Sequence, residues 1–259
     1  MLASRSLTRL VLIAFVTVLT SVAAAAQDCP GDRDALGTAR TLAVDAASTP
    51  RVGHKQFPDT LPLAPKELVL TFDDGPWPGT TPAVLAALKA ECVKATFFLL
   101  GRNAQAHPGL VRREAAEGHT IGHHSFSHPL LRHMDPDKAM AEVDKGVRAD
   151  NAALAGRPSA PFFRFPGFAS APVLLDRLQA RGVVVFGADV WASDWNEQTP
   201  DAERELLLKR IDTAGRGIVL LHDTRGQTAR MLPSLLRALK ARGYRIVHVV
   251  PAGGSHPAD

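Results

Sequence analysis

A chain of 259 residues with 46% hydrophobic content can bury a substantial core, and its length fits one large α/β domain better than two small ones. The formal charge of +4 includes no basic run longer than a pair, which excludes nucleic acid as an implied partner and gives the surface charge no functional weight.

Arg5 and Arg9, an apolar run from Leu10 to Val22 and the small residues Ala23 to Ala26 read as a secretory signal spanning 1–26, cut after Ala26. Its apolar core is short against the about 20 residues that a bilayer span needs, so no stable membrane span is expected after cleavage. Removal of Arg5 and Arg9 leaves a formal charge of +2. Gln27 and Asp28 are not the residues a lipoprotein signal places before cysteine, and export of a soluble protein to the periplasm or medium follows. Cys29 and Cys92 are the only cysteines. In an oxidising compartment they are expected to pair and to tie the N-terminal segment to the domain; neither has zinc-ligand spacing. Residues 27–65 lack sustained periodicity and read as a tail or linker that wraps onto the domain or stays loose, ahead of a catalytic domain at 66–259.

Beyond Lys66, short apolar runs alternate with longer amphipathic ones, the pattern of βα units in a single α/β domain with a largely parallel sheet. Seven strands are predicted: 68–72, 95–100, 120–123, 162–165, 183–188, 217–221 and 245–249. Helices fill the gaps at 82–90 (capped by Thr81), 108–117, 135–155, 172–180, 201–213 and 229–241, many with proline near the start and glycine past the end. The polar residues able to do chemistry follow strand ends: Asp73 and Asp74, His124 and His128, Arg164, Asp194, then His222 and Asp223. A parallel barrel opens all strand C-termini on one face, where these residues would converge. An open doubly wound sheet is the alternative.

Asp74, His124 and His128 supply three ligands and leave a coordination position for water, as a catalytic zinc requires. The four-residue interval of His124 and His128 on a helical turn puts both imidazoles on one side. His119 and His123 share that interval, but Thr120, Ile121 and Gly122 argue for extended chain there. His123 and His133 are expected outside the ligand set. Of the paired carboxylates one can hold the ion and the other take a proton from water, and spacing does not order the two roles.

These residues resemble the polysaccharide deacetylases of carbohydrate esterase family 4, which include chitin, chitooligosaccharide and peptidoglycan deacetylases, from about Leu68 to Val249. The resemblance is carried by Thr71-Phe72-Asp73-Asp74-Gly75-Pro76, His124-Ser125-Phe126-Ser127-His128, Phe163-Arg164-Phe165-Pro166-Gly167-Phe168, Asp194-Trp195 and Leu220-Leu221-His222-Asp223. The third motif departs from the family at Phe165, where a proline is usual, and at Gly167, where an aromatic is usual; His123 stands where the family tends to have asparagine. The resemblance implies a distorted (β/α)7 barrel, Asp73 as general base, Asp74 as metal ligand and Arg164 orienting the base. It also implies that the Gly167 backbone amide assists the oxyanion and that Trp195 and Leu220 wall the acetyl methyl.

On this reading Zn2+, or Co2+ in its place, polarises an N-acetyl carbonyl, and His222, kept charged by Asp194, protonates the leaving nitrogen. Arg164 is expected to lower the pKa of Asp73 and Asp194 to raise that of His222. The expected substrate is an N-acetylglucosamine polymer or oligosaccharide, acted on by a monomer. Competing readings are O-deacetylation of acetylated xylan, a carbohydrate-binding relic without turnover, and an Fe(II) oxygenase using two histidines and one carboxylate.

Overall fold

The computed structural model describes residues 34–253. The signal segment, its cleavage site and Cys29 lie outside the described residues, while Cys92 is disulfide-bonded. No helix among the described residues is long and apolar enough to cross a membrane.

Ten strands are described, and every pairing among them is parallel. In chain order they are β1 (Thr38–Val44), β2 (Arg51–Val52), β3 (Glu67–Asp73), β4 (Thr96–Leu99), β5 (Thr120–His123), β6 (Phe162–Phe163), β7 (Val184–Phe186), β8 (Val190–Trp191), β9 (Gly217–His222) and β10 (Arg245–Pro251). Between and after them run α1 (Thr81–Ala90), α2 (Gly101–Ala106), α3 (Pro108–Ala116), α4 (Pro136–Leu154), α5 (Pro172–Ala180), α6 (Pro200–Ala214) and α7 (Gly226–Ala241). Seven strands make the distorted (β/α)7 barrel: β8 pairs with β9, β9 with β3, and the ladder continues through β4, β5 and β6 to β7.

The seventh strand differs from the sequence expectation. The run 245–249 is indeed a strand, but β10 meets β3 only at Glu67 and Leu68, and β9 takes the rest of that edge. Val247 and Val249 instead pack with Val69, Phe98 and Ile218, and Thr120 at the start of β5 donates to the Val249 carbonyl at 2.6 Å. Strand β10 therefore crosses beneath the barrel and closes its N-terminal end. The missing barrel strand is the two-residue β8, too short to carry a period.

Residues 27–65, read as a tail, contain β1, which pairs with β10, and β2, which extends the sheet beyond β7. Only Thr38 and Val44 of β1 are fully buried, so the segment has no clean alternation to read; its extended form comes from pairing with the apolar β10. Arg40 fixes it further by gripping Glu67 with two hydrogen bonds, at 2.7 and 3.0 Å.

Outward-facing Leu68, Leu70 and Phe72 of β3 pack against Leu85 and Leu88 of α1, Leu207 and Ile211 of α6, and Leu232 and Leu235 of α7. Asp135 caps α4 by accepting from Asp137 and Lys138 N–H, and Thr199 caps α6 by accepting from Ala202 N–H. Thr81 does not cap α1 as expected. It lies inside the helix, where its hydroxyl accepts from Trp77 N–H at 2.7 Å and donates to the buried Asp223 carboxylate.

Candidate active site

Strand alternation decides what faces the barrel interior. With Leu68, Leu70 and Phe72 outside, Val69, Thr71 and Asp73 point in; on β9, Leu220 and His222 point in while Val219 and Leu221 join the outer layer. Asp73 and His222 are paired in register, so both arrive at the C-terminal rim together. Asp74 follows with φ +76, a left-handed conformation uncommon outside glycine that turns the chain sharply at the strand end. Asn103 holds this turn by donating to the Asp74 carbonyl at 2.7 Å. Gly75 is required beside it, because a Cβ there would collide with the Asp223 carboxylate.

Asp74, His124 and His128 present ligand atoms all within 4.8 Å of one another. Asp74 Oδ1 lies 3.7 Å from His124 Nε2 and 3.6 Å from His128 Nε2. His124 Nδ1 lies 2.7 Å from the Arg164 carbonyl, which can only accept, so Nδ1 carries the proton and the Nε2 lone pair faces the carboxylates. Burial pushes His124 down to about 3, keeping it neutral as a ligand must be. Asp74 Oδ1 is buried without any hydrogen-bond partner, an unfavourable position for a carboxylate oxygen that a cation between it and the two imidazoles would relieve. The donor set, two nitrogens and one oxygen around a common point, suits zinc.

The two histidines do not meet through a helical turn. Residues 124–130 are irregular, with Ser125 at φ +69 and His128 at φ +68, and Ser125 Oγ accepts from His128 N–H at 3.1 Å. This turn brings the imidazoles to a ring separation of 5.1 Å. His119 and His123 do lie apart: Phe97 packs against the first and Asp150 pairs with the second at 2.7 Å. His123 thus points to α4 and away from the ligands, and His133 is exposed.

Helix α4 braces the loop that carries His124 and His128 along one stripe. Glu142 Oε1 accepts from Ser127 N–H and Oγ–H, both at 2.6 Å; Gly146 lies against the Ser125 and Phe126 backbone; Asp150 binds His123. Positions 142, 146 and 150 are spaced i, i+4, i+8, so one face of the helix reads the loop in reverse order. None of the three is a ligand, and motif reading passed over all of them. The four-residue interval alone could have pointed to them.

Arg164 is fully buried, and each of its guanidinium nitrogens has an acceptor. It donates to Asp73 Oδ1 at 2.7 Å, Thr71 Oγ1 at 2.8 Å and the Gly187 carbonyl at 2.8 Å, and lies 4.4 Å from the Phe98 ring centroid. Gly122 makes room for that ring, since a Cβ there would lie 2.9 Å from it. Asp73 Oδ2 remains, facing His124 Nε2 at 3.8 Å. Burial is the largest influence on Asp73 and raises the carboxyl above its ordinary value; Arg164 does lower it, as expected, but together with His222 offsets burial only in part, so the net direction is the reverse of the expected one.

Opposite stands His222, with Nε2 4.0 Å from Asp74 Oδ2 and Nδ1 2.8 Å from Asp194 Oδ1. Burial pulls this imidazole down, but the Asp194 hydrogen bond and charge outweigh it and lift it to about 9, as expected. Asp194 is itself fixed by His222 N–H at 2.7 Å and by Thr228 Oγ1 at 2.9 Å. The same hydroxyl lies 2.8 Å from Glu203 Oε1, and one proton cannot serve both carboxylates. Burial lifts Glu203 to about 7, and when the carboxyl carries a proton it can donate to Thr228 Oγ1, which leaves the hydroxyl proton for Asp194. Glu203 sits inside α6 with no motif around it, and sequence reading missed it.

Trp195 stands 46% exposed with its ring edge-on to His222 at 6.1 Å, and Leu220 is buried inside the barrel one inward position below that histidine. Gly167 is exposed at φ +58, and a Cβ on it would lie 3.1 Å from Leu130 Cδ2.

Residues 61–186 match the family model described as polysaccharide deacetylase. The chain is 35% identical over 185 residues to a peptidoglycan-N-acetylglucosamine deacetylase of Listeria monocytogenes, covering 71% of this chain and 38% of that relative, so it spans about two fifths of that protein's length. It is 34% identical over 197 residues to a chitooligosaccharide deacetylase of Azorhizobium caulinodans, covering 69% of this chain and 90% of that one. Among solved structures, a peptidoglycan deacetylase of Bdellovibrio bacteriovorus superposes with a TM-score of 0.75 at 34% identity, over 83% of this chain and 60% of that one. With the motifs gathered at one barrel mouth and relatives of this kind, the chain belongs to the polysaccharide deacetylases of carbohydrate esterase family 4.

Proposed function

We propose that the protein is a metal-dependent hydrolase that removes N-acetyl groups from N-acetylglucosamine-containing glycans. One observation carries the reading: Asp73 offers a single uncommitted carboxylate oxygen beside Asp74, His124 and His128, while a charged His222 approaches Asp74 from β9.

Asp74, His124 and His128 would hold the cation, Zn2+ or Co2+, which when bound polarises the acyl oxygen and acidifies water. Asp73 Oδ2 takes a proton from the attacking water, and burial makes it a better acceptor than an exposed carboxylate. Arg164 holds the other oxygen, so the base keeps one orientation. His222 Nε2 gives its proton to the amide nitrogen as the C–N bond breaks, since an amide anion leaves poorly. Asp194, Thr228 and Glu203 keep that imidazole charged and aimed. Acetate and a free amine result. Trp195 and Leu220 supply the apolar side of the acetyl pocket, and the Gly167 amide is the candidate second donor to the oxyanion. The N-terminal signal pattern supports export, which would bring the enzyme to wall or matrix glycans.

Acetate release is expected from chitooligosaccharides or peptidoglycan, abolished by a chelator and restored by Zn2+ or Co2+. Release from acetyl-xylan alone would replace the N-deacetylase reading with O-deacetylation. No release from any of the three by metal-loaded protein would make the chain a binding relic.

The brace on the ligand loop gives a further expectation. A Cβ at position 146 would lie 2.6 Å from the Ser125 carbonyl carbon and 2.9 Å from Phe126 N, both backbone atoms, so the loop must move. Gly146→Ala is expected to weaken zinc affinity on the order of tenfold or more, by competition with a chromophoric chelator, with helical circular dichroism retained. Unchanged affinity would show that α4 does not set the ligand geometry.

A further inference from the structure

The large hydrophobic side chains exposed among the described residues are Trp77, Leu130, Val173 and Trp195. Each follows the C-terminal end of a barrel strand: Trp77 after β3, Leu130 after β5, Val173 after β6 and Trp195 after β8. All four therefore rim the mouth that holds Asp74, His124 and His128. Exposed apolar groups gathered around one site mark a binding surface rather than scattered surface chance.

Trp77 is the aromatic one of these that the acetyl pocket does not use, yet it is held in place. Its N–H donates to Thr81 Oγ1, and its carbonyl accepts from Thr80 and Thr81 N–H at 3.1 and 2.9 Å. The residue is 48% exposed, and its ring stands perpendicular to that of His107 at a centroid separation of 6.1 Å, so the indole is supported on one part of its surface while much of it meets solvent. Gly79 lies along the indole without covering it; its missing Cβ would be 3.7 Å from Cδ1 and Nε1. The flanking residues Pro76, Pro78, Gly79 and Thr80 carry no charge. Two residues separate Trp77 from Asp74, so their Cα atoms, three steps apart, lie within about 11 Å.

We propose that Trp77 is the platform of a sugar subsite next to the metal, so that the substrate is a glycan strand of several units crossing the mouth from Trp77 to Trp195. An indole face matches the apolar C–H face of a pyranose ring, and the uncharged surroundings suit a neutral sugar rather than an ionic polymer. The choice of a glycan rests on the proposed deacetylase reading; the subsite is tested separately from it.

Two measurements test the subsite. In acetate release by zinc-loaded protein, over N-acetylglucosamine oligomers from the monosaccharide to the hexasaccharide, Trp77→Ala should lose on the order of tenfold in kcat/KM on the long oligomers. The loss should sit mainly in KM, the shortest substrates should change little, and Trp77→Phe should restore most of it. In calorimetric binding of the hexasaccharide to Asp73→Asn protein, adding Trp77→Ala should weaken affinity by a similar factor. This second arm needs no turnover, so it stands if the reaction proves different. An equal loss on every chain length, or unchanged hexasaccharide binding, overturns the subsite. Failure of wild type to release acetate, with Trp77-dependent binding intact, overturns only the reaction.

Discussion

Asp73→Asn is expected to cut turnover by about 10²–10⁴-fold, the range a positioned general base supplies, while zinc content stays at the wild-type level. The asparagine carbonyl can still accept from Arg164 Nη1, now 2.7 Å from Asp73 Oδ1, so the side chain keeps its place and loses only its basicity. Asp74→Ala and His124→Ala should behave differently. Each removes one of three atoms that converge within 4.8 Å, and zinc should be lost along with activity. Metal analysis and kcat on the same samples separate the cases. Zinc loss in Asp73→Asn equal to that in Asp74→Ala would make Asp73 a ligand and leave the site without its base.

The second large effect concerns folding. Arg164→Met should destabilise the metal-free protein by about 3–5 kcal/mol in urea denaturation, because it strands the buried Asp73 carboxylate without its cation. The Thr71 hydroxyl and the Gly187 carbonyl lose a donor as well. The double variant Asp73→Leu with Arg164→Met removes both charges, and its loss should be clearly smaller than the sum of the two single losses, since the sites are in direct contact. Additive losses would show that the pair is not coupled and that Arg164 is held mainly by its other hydrogen bonds.

The barrel and most of the site were legible because their signals are local. An apolar run ending in Asp73-Asp74-Gly75-Pro76 is a strand meeting a turn, and Asp135-Pro136 is a helix start; both can be read without knowing what they touch. What stayed hidden depends on distant partners. Strand β8 exists because Val190 and Trp191 find Val219 and Leu220, and β1 because it finds β10. Thr81 looks like a cap until Asp223 arrives from 142 residues away to take its hydroxyl. The net direction of the Asp73 pKa is hidden from the sequence for a related reason: a neighbouring arginine is visible in a motif, whereas the depth of burial that overrides it comes from packing. The interval between His124 and His128 names two imidazoles that do converge, but through an irregular turn in place of a helix.

That turn has a cost elsewhere in the molecule. Asp74, Ser125 and His128 all hold positive φ without being glycine, at a backbone penalty of roughly 1–2 kcal/mol each. A domain whose net stability is typically about 5–15 kcal/mol gives up a sizeable part of that margin to keep three side chains aimed. Glycine at 125 would relax the backbone but forfeit the hydroxyl that receives His128 N–H, so a tougher protein would hold the proposed cation more loosely. On the proposed reading, heat resistance and hold on the cation are set against each other at Asp74 and in the 124–128 turn, and thermostabilised variants should be sought away from both.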